Sequence, residues 1–313
     1  MKRLLLALAA AAAAAGTPSA LAQGPLPVAD PDSAPPLFRP AERAPLPDLD
    51  APKFVDLNGS APQAHDEAPL LFDARARAEA DAAAYRHPWA ERVSEARAYL
   101  RDRAGHVAFA VVDDTGTLRG LRGDVQYRSA SLVKAMFLVA YLNRIPDRAL
   151  SRDDRALLKP MIIRSDNDAA TRVLAVTGPG RVYRVAKRAG MTRFVLEERW
   201  GDTLVTAADQ ARFFARIDRL VTQRHRSYAR SLLAAIVREQ RWGVPPAVPD
   251  GWRVFFKGGW RPLGRRNLVN QAALIESGDR RAALAVLTVD NPSHEYGTET
   301  IRGVARRILR GLQ

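Results

Sequence analysis

Two groups of strand-forming segments, held apart by a long helical stretch, restrict the fold of this chain more than any other feature. His106 to Val112 is a short apolar run, and Asp113-Asp114-Thr115-Gly116 is a turn signal leading to a second strand near Leu118 to Leu121. The second group comprises segments 252–257, 267–276 and 281–289. Between them, residues 131–240 carry the pattern of helices separated by short loops. Strands joined by short hairpins pair antiparallel. The expectation is therefore an α+β fold with one five-stranded antiparallel sheet assembled from both ends of the domain. Helices at 71–86 and 89–103, the latter with Trp89, Val93, Ala96 and Leu100 on one face, precede the first strands. The chain ends on a stripe of Ile301, Val304, Ile308, Leu309 and Leu312. Terminal helices can then cover one sheet face and the helical block the other.

The stretch before this domain has a different character. Eleven of the 21 prolines fall between Pro25 and Pro69. Proline fixes φ and removes a backbone donor, so residues 23–69 are read as an extended linker, and the domain as 70–313. Residues 1–22 are read as a signal peptide: Lys2 and Arg3 supply charge, Leu4 to Ala15 an apolar core, and Ala20-Leu21-Ala22 a cleavage site. The alternative is an uncleaved anchor. The expected location is periplasmic or secreted, with no stable membrane insertion after cleavage.

Composition removes several function classes. With no cysteine there is no disulfide framework, no thiolate metal site and no cysteine nucleophile. His65, His87, His106, His225 and His294 show no metal-ligand spacing, so neither metal nor cofactor is expected. The net charge of +14 invites a nucleic-acid reading. Against it, the arginines are spread along the chain, and lysine occurs only at 2, 53, 134, 159, 187 and 257. That is a solvated cationic surface, with mild attraction to an anionic cell envelope as its functional counterpart. Trp200, Trp242, Trp252 and Trp260 are read as core or cleft walls, not as a base-stacking platform. The oligomeric state is not legible.

Three short segments carry chemistry. Ser131-Leu132-Val133-Lys134 opens a helix running to about Asn143, and residues three apart share a helix face, so the hydroxyl and the amine can meet. Burial and a neighbouring cation both lower a lysine pKa, and a neutral Lys134 can take the proton of Ser131. Ser165-Asp166-Asn167 precedes a helical run, Asp168 to Val176; plain helix capping is the competing reading. Lys257-Gly258-Gly259 ends a strand, Trp252 to Phe256, where paired glycines imply close approach of another backbone or a ligand, or else a bulge.

In this order and setting the three segments resemble the signatures of the class A β-lactamases and their penicillin-interacting relatives, Ser-x-x-Lys, Ser-Asp-Asn and Lys-Thr-Gly. The resemblance spans about residues 89–312. It implies a nucleophilic Ser131, Lys134 as its base, and Ser165 passing a proton to the leaving nitrogen. It also implies Asn167 holding a substrate carbonyl, Lys257 steering a carboxylate, Gly259 in the strand beside the substrate, and backbone N–H groups of Ser131 and Trp260 as the oxyanion hole. The substrate would be a small-molecule β-lactam or a cell-wall peptide.

Three departures stand out. Gly258 replaces the family's threonine or serine, with Arg261, Arg265 or Arg266 as substitute anchors. The stretch Thr192 to Thr206 lacks the family's Glu-x-x-Leu-Asn loop, leaving Glu197 or Glu198 as a water-activating base or as a solvated surface pair. The segment from Ser131 to Ser165 is short, so the helical subdomain is expected to be reduced. The expected activity is β-lactam hydrolysis. The alternatives are a D-alanyl-D-alanine peptidase or another serine amidase or esterase with slow β-lactam release, and a non-catalytic envelope-binding protein on the same scaffold.

Overall fold

The computed structural model describes residues 86–312. The expected signal peptide and linker, and all but the last residue of the expected helix 71–86, lie outside them. Eight α-helices and seven strands follow in order: α1 (Trp89–Tyr99), β1 (His106–Val112), β2 (Leu118–Leu121), β3 (Gln126–Arg128), α2 (Lys134–Leu142), α3 (Arg152–Ile163), α4 (Asn167–Thr177), α5 (Pro179–Ala189), β4 (Leu204–Thr206), α6 (Ala207–Leu220), α7 (Gln223–Ala234), β5 (Arg253–Leu263), β6 (Arg266–Ser277), β7 (Arg280–Asn291) and α8 (His294–Leu309).

The main sheet is five-stranded and antiparallel, in the order β2-β1-β7-β6-β5. The first strand thus lies against the last, with Ala108 opposite Leu287. Residues Val107 to Val111 and Ala282 to Leu287 are all buried. Such continuous apolar runs belong to strands covered on both faces. Helices α1 and α8 pack on each other and α8 on β6 and β7, while α6 packs on β1, β6 and β7. Arg103 ties the terminal helices together, donating to Thr300 Oγ1 and Tyr296 O.

Three local readings are corrected. The α1 helix stops at Tyr99 and gives way to a 3₁₀ turn, Leu100–Asp102. Strand β5 does not end at Lys257-Gly258-Gly259 but runs through both glycines to Leu263. The helical block contains strand β4, which pairs with β3 in a separate two-stranded sheet; three-residue strands have too little alternation to register as a period.

The segments that carry the candidate site are set by ordinary local rules. Every residue of α2 is buried, as expected of a helix apolar on all sides and running through the centre of its layer. Burial of side chains such as Phe137, Leu138 and Leu142 stabilises by roughly 1.5–3 kcal/mol each. That gain offsets the cost of burying Lys134 at the helix's first residue. Helix α3 begins in a capping box between Ser151 and Asp154. Its Pro160 carbonyl accepts from both Arg164 N and Asp166 N, turning the chain so that Asp166 caps α4 through Ala169 N. Capping therefore operates here, and it positions Ser165 between the two helices.

Candidate active site

Ser131 lies in a 3₁₀ turn, Ala130–Val133, immediately before α2, and not in the α-helix itself. Its approach is anchored on two sides: Ser129 N donates to Thr203 O at 2.8 Å, and Asn270 Nδ2 to Arg128 O at 2.8 Å. Ala130 holds a φ of +46°, a left-handed conformation that costs a non-glycine residue about 1 kcal/mol or more.

Lys134 is fully buried. Its Nζ donates to Ser165 O at 2.5 Å, Asn167 Oδ1 at 2.7 Å and Ser165 Oγ at 3.3 Å. Among the described residues none of its hydrogen bonds goes to Ser131. Lys257 is also fully buried, with Nζ donating to Ser165 Oγ at 3.1 Å and Gly258 O at 2.7 Å. One hydroxyl, that of Ser165, therefore sits between two buried amines. Ser165 is itself strained, with φ +60°. Asn167 is exposed, and with Oδ1 taken by Lys134 its amide nitrogen faces no protein partner among the described residues.

Burial lowers the Lys134 pKa to about 7, opposed only in part by the negative charge of Asp166. Lys257 is pushed well below the usual lysine range, by burial first and by Lys134 second. The sequence reading named burial and a neighbouring cation as causes of the Lys134 depression. Burial is the one that acts on Lys134, and the repulsion between the two amines bears on Lys257. Trp200 forms part of the desolvating wall: Lys134 Nζ lies 4.9 Å from its ring centroid, and the indole is held by a hydrogen bond to Thr171 Oγ1 and an edge contact with Phe137.

Close backbone approach accounts for Gly259. A Cβ there would lie 2.5 Å from Ser129 O, 2.6 Å from Leu132 N and 2.9 Å from Ser131 N. Real Cβ contacts are not that short, so glycine at 259 is what lets β5 lie against the Ser131 turn. Gly258 has a different reason. A Cβ there would meet Trp242 Cη2 at 3.0 Å and Cζ2 at 3.1 Å. The indole fills the space in which the resemblance places a hydroxyl.

Of the substitute anchors, Arg261 pairs with Asp202, while Arg265 and Arg266 are exposed at the β5–β6 hairpin. Glu197 and Glu198 are both exposed, and neither carboxylate contacts Lys134 or Ser165 among the described residues. The structure brings Lys134, Ser165, Asn167 and Lys257 into one hydrogen-bonded group and sets Gly259 against the Ser131 turn. The sequence reading took Trp200 and Trp242 as core or cleft walls and weighed capping for the Asp166 segment, without saying which groups they act on. The one signal for Trp242 was the missing side chain at 258, which implies a bulky neighbour.

The sequence profile of the β-lactamase enzyme family matches residues 155–312. No curated protein matches the chain. Many solved structures share the fold. A β-lactamase from Sphaerobacter thermophilus is 22% identical, covering 72% of this chain and 97% of its own, with a TM-score of 0.62. A class A β-lactamase representative from Bacteroides cellulosilyticus is 14% identical, covering 72% and 98%, at 0.63. A class A β-lactamase from Mycobacterium abscessus is 22% identical, covering 70% and 98%, at 0.59. The chain belongs to the β-lactamase enzyme family. Its α+β fold is that of the class A β-lactamases.

Proposed function

We propose that this protein is a serine hydrolase that forms an acyl-enzyme on Ser131 with strained or cell-wall-type amides, β-lactams included. The observation that carries the reading is the Ser165 hydroxyl held between two fully buried lysines beside the Ser131 turn. With a pKa of about 7, Lys134 is substantially neutral at physiological pH, and a neutral amine one turn along takes the Ser131 proton. The Ser131 oxygen bonds to the substrate carbonyl carbon. The developing oxyanion is met by the backbone N–H groups of Ser131 and Trp260; removal of one such donor typically costs roughly 3–4 kcal/mol. As the C–N bond breaks, Ser165 gives its proton to the leaving nitrogen and is reprotonated from the lysine pair. Asn167 presents its free amide nitrogen to a substrate carbonyl. Water then cleaves the Ser131 ester. The reading of residues 1–22 as an export signal would set this chemistry outside the cytoplasm.

Intact-mass spectrometry over a time course with benzylpenicillin tests the proposal. Wild type gains one penicillin mass and Ser131→Ala gains none. No adduct at millimolar penicillin together with no consumption of the penicillin over hours removes the acyl-enzyme reading and favours a non-catalytic binding protein.

A second reading concerns release, and Trp200 favours it. The indole covers Lys134, and Glu197 and Glu198 are exposed, so neither of these two carboxylates is held at the ester to activate water. The adduct then persists for minutes, as in a cell-wall peptidase inhibited by penicillin. Disappearance within seconds, with steady turnover, supports β-lactamase activity instead.

A further inference from the structure

Strand alternation divides the residues after Phe256 between two faces of β5. Lys257 and Gly259 point toward Ser165 and the Ser131 turn. Gly258 and Trp260 point the other way, toward Trp242 and His294. Strand β5 is the edge of the sheet, so the two faces meet along its outer side, next to Ser131. On the face of Gly258 and Trp260, three rings form a cluster. Trp242 and Trp260 meet edge to face at 5.8 Å between centroids, Trp242 and His294 at 5.6 Å, and Trp260 and His294 at 6.1 Å. All three are half-buried, so ring surface remains for a ligand.

The cluster is built in, not incidental. Gln271, opposite Gly258 on β6 and fully buried, spends its whole amide on the Trp242 segment. Its Oε1 accepts from Val244 N at 2.6 Å and its Nε2 donates to Trp242 O at 2.9 Å. That clamp presses the indole onto the bare Cα of Gly258. Among the described residues the nearby cations are engaged: Arg241 lies over the Phe256 ring and donates to Ala234 O. Lys257 is sealed from solvent with its protons directed to Ser165 and Gly258, and Arg261 is paired with Asp202. Burial holds His294 below the ordinary imidazole range, hence neutral at pH 7. The carboxylate beside the cluster, Glu295, lies 3.9 Å from His294 and would repel an anion.

We propose that Trp242, Trp260 and His294 form the leaving-group subsite of this enzyme, and that it takes an uncharged aromatic group and disfavours a carboxylate. Aromatic surface packs edge to face on indoles, whereas a carboxylate desolvated against them has no partner. The inference rests on acylation at Ser131 and narrows the substrate class to acyl donors whose departing portion is neutral and aromatic.

Benzylpenicillin and its benzyl ester share acyl group and ring, and differ at the departing carboxylate. Their second-order rate constants for labelling Ser131, each normalised to its rate with hydroxide and read by intact mass, test the proposal. The ester should lead by roughly 10- to 100-fold, the range over which apolar pockets discriminate. Trp242→Ala should bring the ratio close to one and Trp242→Phe should retain most of it, both with unchanged far-UV circular dichroism. A free acid that reacts as fast as the ester in wild type overturns the subsite, as does a ratio indifferent to Trp242→Ala. Labelling by neither compound sinks the acyl-enzyme reading itself.

Discussion

Two clusters of buried charge lie within this fold, and they are treated in opposite ways. At the start of α3, Asp154 is surrounded by donors: Tyr141 Oη at 2.7 Å, Arg148 Nη1 at 2.6 Å, and Ser151 N at 2.7 Å. The Arg148 guanidinium holds the Asp154 carboxyl well below the usual carboxylate range, and burial, reinforced by Asp154, pushes Tyr141 up to about 12. At the candidate site, two buried lysines face one another across a serine hydroxyl, and no ion pair to either is found among the described residues. The first cluster is compensated and inert. The second has no ion pair among the described residues, and burial holds both amines below the ordinary lysine range, Lys134 at about 7. A charge that serves the fold is neutralised by its neighbours, and one that serves chemistry is denied them.

The sharpest way to break the contrast is to remove one member of each cluster. Lys134→Met should lower the rate of Ser131 acylation by about 10²- to 10⁴-fold, the usual contribution of a positioned base. The same change should raise stability in urea by about 1–3 kcal/mol, because an apolar side chain replaces a buried amine. Asp154→Ala should do the reverse. It should destabilise by roughly 2–4 kcal/mol through the stranded donors, while the folded fraction acylates at the wild-type rate. Loss of stability in both variants, or of activity in both, would show that the clusters do not differ in kind.

Next in size is the response to pH. Acylation should rise about tenfold per pH unit on the acid side and level off above about 7, where Lys134 is neutral. Stability should respond to the two clusters at opposite ends of the scale. Between about 7 and the unfolded value of 10.5, the unfolded chain holds a proton on Lys134 that the native chain lacks, so stability climbs with pH. The depressed Asp154 contributes stability that is complete above its unfolded value of 3.8 and fades as pH falls through its native value. Denaturant midpoints across pH, with Lys134→Met and Asp154→Asn as controls, separate the two.

A smaller effect is expected at the seam between β5 and the Ser131 turn. Gly259→Ala forces a methyl into the backbone of Ser129 and Leu132. It should cost about 1–3 kcal/mol of stability and slow acylation more than its stability loss explains. The smallest concerns Trp200. Its replacement by alanine admits water to Lys134 and should move the midpoint of the acylation pH profile upward, by up to about one unit.

The sheet was legible because β1, β6 and β7 are long apolar runs bounded by turn residues, and such runs mark strands covered on both sides. Strand β5 was read too short because its glycines look like a terminus; only the tertiary approach of Ser131 explains glycine inside a strand. The pairing of β3 with β4 joins residues far apart in sequence, and no local period reports that. At the site, Ser131, Lys134, Ser165, Asn167 and Lys257 were legible as residue types at meaningful spacings. Their partners were not. Trp200 and Trp242 lie in stretches without a motif, and their effect comes from desolvation and volume, which belong to the folded surroundings. Burial of Lys134 was named from the sequence, but not the residues that exclude the water: charge can be counted along a chain, whereas the walls belong to the fold.

The sheet order has a consequence for how the protein comes into being. A ribosome delivers Ser131, Lys134 and Ser165 well before Lys257, and at about 5–20 residues per second the wait is of the order of 5–20 s. Until β5 emerges, Ser165 Oγ lacks the second of the two amines that flank it in the fold. β1, still lacking β7, has a raw edge through the same interval. The arrangement around Ser165 is thus among the last the newborn chain completes, and under the proposed function a truncation short of β5 would hold Ser131 and Lys134 without their full surroundings.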